Sequence, residues 1–260
     1  MTAMDEDVVA RLRAAGCVFA EDEAELLISA SSSSAVLASL VARRVAGEPL
    51  EQILGWVSFC GLRVAIEPDV FVPRQRTALL VRAAVDRLTD SAVVVDLCCG
   101  SGALGLAVAS LARVPVAVHA ADLHPSAVAC ARRNLAAVGE SVYCGDLFSA
   151  LPSSLRGTVD VLLCNAPYVP SGFVSSMPPE ARDHEPLMTL DGGADGMDLL
   201  RRVLAEAGAW VRSGGVVLVE CSLEQASVLV SFGASFGLRG SVLTDESLDA
   251  VGLLFVAAES

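Results

Sequence analysis

The sequence contains no lysine: its 18 basic residues are all arginine, and they stand against 31 acidic residues. The formal net charge at pH 7 is −13. A protein that binds nucleic acid over a large surface needs a basic face that displaces counterions from the phosphates. The charge therefore argues against a large nucleic-acid interface, while a small basic patch stays compatible with it. We attribute the missing lysine to genome composition and not to function.

Long apolar runs and paired cysteines are also missing. No apolar run reaches the roughly 20 residues that a membrane-spanning helix needs. The N-terminal stretch MTAMDEDVVARL is acidic and lacks the apolar core of a signal peptide. None of the eight cysteines forms a C-x-x-C pair, and most lie within apolar runs. We therefore expect a cytoplasmic protein with no membrane partner, no metal site and buried, reduced cysteines.

The spacing of apolar residues divides the chain into three parts. Helical spacing between residues 5 and 55 predicts a small helical domain over residues 1–55. Residues 56–75 favour strands and turns, which predicts a β-hairpin linker. In residues 76–260, nearly continuous apolar strands alternate with helices, as in a parallel sheet covered on both faces. The tail GLRGSVLTDESLDAVGLLFVAA predicts two strands that close this α/β sheet as an antiparallel hairpin.

A glycine-rich segment, VVVDLCCGSGALG, joins the first strand of the predicted sheet to the next helix. Gly100, Gly102 and Gly105 satisfy the pattern G-x-G-x-x-G, and Asp122 follows Gly102 by 20 residues. This pattern is typical of a dinucleotide-binding turn. A tight strand-to-helix turn without a ligand is the alternative at this point.

Acidic residues around the glycine segment favour a different nucleoside. Asp96 precedes the glycines, and Asp122 and Asp146 follow the predicted second and third strands. Three carboxylates suit S-adenosyl-L-methionine, whose sulfonium and amino groups are positive and whose ribose offers two hydroxyl donors. We expect Asp122 to accept from the ribose, and Asp146 and Leu147 to frame the adenine. The residues predicted to bind this cofactor are Asp96, Cys98, Cys99, Gly100, Ser101, Gly102, Asp122, Asp146, Leu147 and Asn165.

The segment LLCNAPYVP ends a buried strand on Asn165, Ala166, Pro167 and Tyr168. Asn and Pro commonly end strands in turns, and a tyrosine can cover the end of a sheet. The alternative is that these four residues form a polar, rigid clamp for a ligand. We predict that they are the catalytic residues.

Four segments, taken together in this order, resemble a known family. They are RRVAGEPLEQILGWVSFCGLRVAIEPDVFVPRQRTALLV, DLCCGSGALGLAVA, NAPYVP and EPLMTLDGGADGMDLLRRVL. The family is that of the class I methyltransferases that methylate the side-chain amide nitrogen of glutamine in proteins. The resemblance implies S-adenosyl-L-methionine as cofactor and a Rossmann-like seven-stranded sheet with its last strand antiparallel. It also implies a small helical N-terminal domain, a β-hairpin linker and an active-site wall. The wall residues are Phe71, Pro73, Arg74 and Thr77.

The resemblance also implies a substrate, a glutamine on a loop of a protein. The closest members of the family modify the glutamine of a Gly-Gly-Gln motif in peptide-chain release factors, and we expect such a partner. The protein would then contact nucleic acid only indirectly, through the translation machinery. This chain departs from the family pattern at Ala166, where proline is usual, at Cys98, where glycine is usual, and in the segment after Val72.

The resemblance implies a mechanism in which the Asn165 side chain and the backbone carbonyl of residue 166 accept the two amide N–H groups. Tyr168 would pack against the amide plane. Three other functions are open from the residues alone. They are methylation of an amino group on a nucleic-acid base, an NAD-linked oxidoreductase, and a degenerate methyltransferase fold that only binds a partner.

Overall fold

The computed structural model describes residues 3–139 and 141–258. Residues 1, 2, 140, 259 and 260, which the predicted domains include, lie outside the described residues. The helices are α1 Ala3–Ala14, α2 Ala20–Ala30, α3 Ser34–Val45, α4 Leu50–Leu54, α5 Ala78–Val85, α6 Ala103–Leu111, α7 Pro125–Leu135, α8 Pro179–His184, α9 Asp198–Ala207 and α10 Leu223–Ala234. The strands are β1 Trp56–Phe59, β2 Leu62–Ala65, β3 Ala92–Leu97, β4 Val116–Asp122, β5 Ser141–Cys144, β6 Val159–Cys164, β7 Val211–Glu220, β8 Leu238–Asp245 and β9 Ala250–Ala257.

Helices α1 to α4 pack around an apolar core of their own, which includes Leu12, Leu27 and Val41. Helix α3 begins where the Ser33 hydroxyl accepts a hydrogen bond from the backbone N–H of Val36. A serine in this position satisfies one of the free N–H groups of the first turn. The predicted helical character of residues 5–55 thus corresponds to four short helices. The division of the chain into domains at residues 55 and 75 stays a prediction.

Strands β1 and β2 form an antiparallel pair in which Phe59 faces Leu62. The two residues between them, Cys60 and Gly61, both have positive φ angles, of 51° and 77°. A two-residue turn of this kind matches the right-handed twist of the strands. Asn134 joins the hairpin to α7, because its side chain bonds both the N–H and the carbonyl of Ala65.

The main sheet has seven strands in the order β5-β4-β3-β6-β7-β9-β8. Strands β3 to β7 are parallel, and β9 runs antiparallel to both of its neighbours. The predicted class I methyltransferase fold with an antiparallel last strand is therefore confirmed. Strands β4 and β6 lie on opposite sides of β3, so the connections diverge there. Ligands of open α/β sheets bind at such a point, beyond the carboxyl ends of the strands.

Consecutive residues of the central strands face opposite layers. Leu162 on β6 belongs to the core on the side of α9 and α10, while Leu163 belongs to the core on the side of α5 and α6. Both residues are completely buried. This explains why the central strands are mostly apolar, since neither face of the sheet meets water.

All eight cysteines are described, and none is in a disulfide. Five are buried, but Cys144 is exposed and Cys60 and Cys98 are half-buried, so the prediction of buried cysteines is wrong for these three. Within the described ranges, no helix is long and apolar enough to cross a membrane. Residues 3–139 and 141–258 also contain no group of three or more His, Cys, Asp or Glu side chains that could hold a metal ion.

Candidate functional site

A pocket opens at the carboxyl ends of β3, β4 and β6, where the sheet connections diverge. The predicted site residues that line it are Phe71, Arg74, Cys98, Gly100, Asp122, Asp146, Leu147, Asn165, Ala166, Pro167 and Tyr168. The other predicted site residues do not line it; they are Pro73, Thr77, Asp96, Cys99, Ser101 and Gly102. The functional roles of all these residues stay predictions, but the structure brings the residues of the first set together around one pocket.

The glycine segment makes a tight turn between β3 and α6. Gly100 and Gly102 have φ angles of 54° and 74°, and Gly102 is the residue that precedes α6. Glycine adopts this left-handed conformation without the steric penalty of a side chain. Cys98 has a φ of 53° in the same turn, which is uncommon for a residue with a Cβ. A hydrogen bond with Cys164 and burial both raise the pKa of the Cys98 thiol, so it stays neutral.

Gly105 is required for a different reason, which is close packing of α6 on the sheet. A Cβ at this position would lie 2.9 Å from Cγ1 of Val118 on β4. The backbone N–H of Gly105 donates to Oδ2 of Asp96 at 2.9 Å. Asp96 is 1% exposed and lies beneath the glycine turn. Burial, together with the charge of Asp122, raises the pKa of Asp96 to about 7, against the opposing effect of the Gly105 hydrogen bond.

Asp122 connects the ends of two strands. Its Oδ2 accepts from the N–H of Gly100 at 2.9 Å, and its Oδ1 accepts from the N–H of His124 at 2.8 Å. These bonds hold the glycine turn against β4 and leave the carboxylate at the pocket wall. A carboxylate oxygen can accept more than one hydrogen bond, so both oxygens keep capacity for a ligand hydroxyl.

Asp146 and Leu147 form the wall beyond β5. Asp146 is half exposed and pairs with Arg202 on α9 at 2.6 Å. Leu147 is buried and has a φ of 46°, a left-handed backbone conformation that is rare for leucine. An apolar side chain next to a carboxylate suits a flat heterocycle with an amino group.

The segment Asn165–Tyr168 directly follows β6, and its first residue is oriented by Thr77. The Asn165 Nδ2 donates to Oγ1 of Thr77 at 3.4 Å. Thr77 is completely buried at the start of α5, so it stands behind the pocket wall. Because the amide nitrogen of Asn165 faces Thr77, its Oδ1 faces the other way.

The backbone after Tyr168 is enclosed by a later loop and by α10. Gln225 Nε2 donates to the carbonyl oxygens of Tyr168 and Asp195, at 2.9 Å and 3.0 Å. A Cβ on Gly192 would lie 2.6 Å from the carbonyl oxygen of Pro167, so only glycine fits there. These contacts were not predicted, although the loop lies in the segment EPLMTLDGGADGMDLLRRVL that resembles the family.

A buried carboxylate at the end of β7 also escaped the sequence prediction. Glu220 is 4% exposed and lines the pocket. Its Oε1 accepts from the Tyr168 hydroxyl at 2.9 Å and from Arg76 Nε at 3.0 Å. A single glutamate at the end of an apolar strand was the only sequence signal for it.

The end of the hairpin is held by a second buried carboxylate. Arg74 donates to both carboxylate oxygens of Glu185 at 2.8 Å, and the N–H of Val72 donates to the same side chain at 3.4 Å. Burial raises the pKa of Glu185, while Arg74 opposes the shift. The Arg74 guanidinium also lies 5.1 Å from the ring centre of Phe71. Pro73 between them is buried.

Several known proteins are similar to this chain. The profile of a family described as "Methyltransferase small domain" matches residues 62–176. A release factor glutamine methyltransferase of Geobacter sulfurreducens is 36% identical over 201 residues, which cover 76% of this chain and 69% of that protein. A protein of the same name from Mycolicibacterium smegmatis is 36% identical over 233 residues, covering 83% of this chain and 82% of that protein.

A relative with a different name is similar to the same degree. The 4-amino-L-phenylalanine/4-methylamino-L-phenylalanine methyltransferase of Streptomyces pristinaespiralis is 37% identical over 204 residues, which cover 75% of this chain and 68% of that protein. Among solved structures, a methyltransferase from Pyrococcus furiosus has a TM-score of 0.58 at 16% identity, over 76% of this chain and 90% of that chain. This last likeness concerns the fold alone.

Proposed function

Because the chain belongs to the family of release factor glutamine methyltransferases, we propose that it methylates the side-chain amide nitrogen of a glutamine in a peptide-chain release factor. The methyl donor is S-adenosyl-L-methionine. The observation that supports this function best is the segment Asn165–Tyr168, which follows β6 and lines the same pocket as Asp122 and Asp146.

The residues of the pocket fit the cofactor. When bound, S-adenosyl-L-methionine supplies an electrophilic methyl group on a positively charged sulfonium. Asp122 accepts from the ribose hydroxyls with the capacity that its two backbone hydrogen bonds leave free. Asp146 and Leu147 frame the adenine, one with a carboxylate and one with an apolar surface. The carboxylates also favour a cation in the pocket.

The nitrogen of a glutamine side chain is a poor nucleophile, because its lone pair is delocalised into the carbonyl group. The enzyme must therefore position it. In the proposed arrangement, Oδ1 of Asn165 and the backbone carbonyl oxygen of Ala166 accept its two N–H bonds. Alignment of two reactants in this way saves roughly 7–11 kcal/mol of the barrier. The substitution of alanine for proline at position 166 keeps this carbonyl, and Pro167 still favours an extended backbone at Ala166.

The remaining predicted residues shape the space around the amide. Tyr168 packs against the amide plane, and its hydroxyl is held by Glu220 at 2.9 Å. Phe71 and Arg74 line the substrate side of the pocket. Pro73 and Thr77 act from behind this wall, Thr77 by bonding the Asn165 side chain.

We assign the docking of the protein substrate to the N-terminal helices, which lie outside the methyl-transfer sheet. Arg44 on α3 is 7% exposed and pairs with Glu23 on α2 and with Glu180 on α8, each at 2.6 Å. The helices are thus joined to the loop that follows Tyr168. A release factor works in the cytoplasm, so a cytoplasmic location is part of the same proposal.

Methyl transfer from tritiated S-adenosyl-L-methionine to a purified bacterial release factor tests the proposed function. We expect label on the glutamine of the Gly-Gly-Gln loop, located by peptide mapping. The matched control is the same release factor with that glutamine replaced by alanine, which should take up no label. Labelling of tRNA or DNA without labelling of any protein would contradict the proposal.

A second substrate class is suggested by the Streptomyces pristinaespiralis relative, whose name specifies an aromatic amine as methyl acceptor. An aniline nitrogen is also conjugated, so positioning by Asn165 would serve it equally well. The alanine at position 166 is smaller than the proline that is usual in the family, so it leaves more room beside this nitrogen. Incubation with 4-amino-L-phenylalanine in place of the release factor separates the two classes, because only one of them should be methylated at a useful rate.

A further inference from the structure

Glu220 has one carboxylate oxygen with a full set of donors and one with none. Oε1 accepts from the Tyr168 hydroxyl and from Arg76 Nε. Oε2 is buried and has no hydrogen-bond partner among residues 3–139 and 141–258. Burying an acceptor in this way is unfavourable, and most buried acceptors in native proteins have a hydrogen-bond partner. The free oxygen belongs to a residue that lines the pocket.

The register of the sheet places Glu220 beside the segment that would hold the substrate amide. Cys164 on β6 pairs with Val219 on β7. The next residues along these two parallel strands are Asn165 and Glu220. Neighbouring strands are roughly 4.8 Å apart. The backbone of Glu220 therefore lies beside that of Asn165, which supplies one of the proposed acceptors of the amide N–H groups.

We propose that Oε2 of Glu220 receives the proton that the amide nitrogen loses during methylation, an inference that rests on the proposed function. The nitrogen lone pair forms the N–CH₃ bond, and the C–S bond breaks with its electron pair on sulfur, which yields S-adenosylhomocysteine. The methylated nitrogen is then positive. One N–H bond breaks, its electron pair returns to nitrogen, and the proton moves to Oε2. Release of this proton to water after the product leaves restores the carboxylate.

The other groups at the segment are poor acceptors. The oxygens of Asn165 and of the Ala166 backbone belong to amides and are much weaker bases than a carboxylate. Burial, and then the charge of Glu220, raises the pKa of the Tyr168 hydroxyl, so the hydroxyl keeps its proton and only donates a hydrogen bond to Glu220. An arginine side chain such as Arg76 has no acceptor atom.

Arg76 forms an ion pair with Glu220, which is buried. Burial opposes the charge on the guanidinium, but Tyr168 and Glu220 outweigh this effect and the pKa of Arg76 is raised. The ion pair, in which Arg76 Nε lies 3.0 Å from Oε1, compensates the charge of the buried carboxylate. The two donors on Oε1 also hold the carboxylate group in one orientation and leave Oε2 without a partner in the described part of the chain.

The test is the variant Glu220→Gln, compared with Tyr168→Phe and with the double variant. In Glu220→Gln, the donors Arg76 and Tyr168 select the amide oxygen, so an NH₂ group replaces Oε2. We expect the single-turnover rate of methyl transfer to a release factor to fall about 10²-fold or more, the usual worth of a general base. The Kd of S-adenosyl-L-methionine, measured by calorimetry, should stay close to that of the wild type.

The comparison with Tyr168→Phe separates proton acceptance from positioning. If Glu220 acted only by holding the Tyr168 hydroxyl, both single variants would lose the same activity and the double variant would lose no more. We expect instead that Glu220→Gln loses more than Tyr168→Phe and that the double variant loses more than either. Equal losses without additivity, or a wild-type rate in Glu220→Gln, would overturn the proposal.

Two controls keep the experiment interpretable. A thermal melt shows whether Glu220→Gln folds. If it does not, Arg76→Gln and the charge-balanced pair Arg76→Gln with Glu220→Gln are compared instead, and the second should be slower because only it lacks the carboxylate. Failure of the wild type to label any release factor would refute the proposed function and, with it, the role of Glu220 that rests on it. A labelled release factor with an unaffected Glu220→Gln rate would refute the role of Glu220 alone.

Discussion

The variant Asp96→Asn should remove a pH dependence of stability that originates beneath the glycine turn. Asp96 is 1% exposed and accepts one hydrogen bond from the N–H of Gly105. Asparagine has the same shape and can accept the same bond, but it does not titrate. The variant therefore isolates the charge of Asp96 from its packing.

The direction of the effect follows from the pKa of Asp96, which burial raises from 3.8 to about 7. Between these two values the folded protein binds a proton that the unfolded chain has released. The stabilisation from this proton is thus fully present below about pH 3.8 and is lost as the pH rises through about 7. At 1.36 kcal/mol per pH unit, the full difference is about 4 kcal/mol, of which about 3 kcal/mol falls between pH 5 and pH 8.

Urea denaturation at pH 5 and pH 8 provides the assay, followed by circular dichroism. We expect the free energy of unfolding of the wild type, relative to Asp96→Asn, to decrease by about 3 kcal/mol between the two conditions. Asp7→Asn is the matched control, since it makes the same chemical change at an exposed position on α1, away from the glycine turn. Parallel pH curves for wild type and Asp96→Asn would refute the reasoning.

Three further predictions concern the proposed chemistry. Asn165→Ala should reduce the single-turnover rate about 10²–10³-fold, because an oriented hydrogen-bond acceptor is lost. A wild-type rate in this variant would show that the segment Asn165–Tyr168 is only a turn. Asp122→Ala should weaken S-adenosyl-L-methionine binding by roughly 1.5–3 kcal/mol in calorimetry, with Asp122→Asn as the shape-matched control. An unchanged affinity for S-adenosyl-L-methionine would show that Asp122 does not bind the cofactor. Ala166→Pro should keep or raise the rate on a glutamine substrate, since it stiffens the segment and retains the carbonyl; loss of turnover in a folded variant would show that residue 166 is adapted to another substrate.

Local patterns in the sequence were enough to predict the sheet and the position of its glycine turn. The apolar runs that become β3, β4 and β6 are nearly continuous because both faces of the sheet are covered, and this property is visible residue by residue. Gly100 and Gly102 mark the turn because their positive φ angles are a local steric requirement. The resemblance to the family added the cofactor and the catalytic segment, again from residues that are close together in the chain.

The surroundings of these residues depend on contacts between distant parts of the chain. Asn165 is oriented by Thr77, 88 positions away, and Tyr168 by Glu220, 52 positions away. Arg76 and Glu220 are 144 positions apart. No periodicity or spacing in one sequence encodes such pairs, because the order of strands in the sheet decides which carboxyl ends become neighbours.

Asp96 illustrates the difference between the two levels. Its position before the glycines was determined by the sequence. This position suggested that the Asp96 carboxylate binds a cationic cofactor. The packing of α6 on β4 decided that its carboxylate lies beneath the turn and bonds the N–H of Gly105 instead of lining the pocket. Only the tertiary structure could decide this, since the direction of a strand-end side chain depends on which layer covers it.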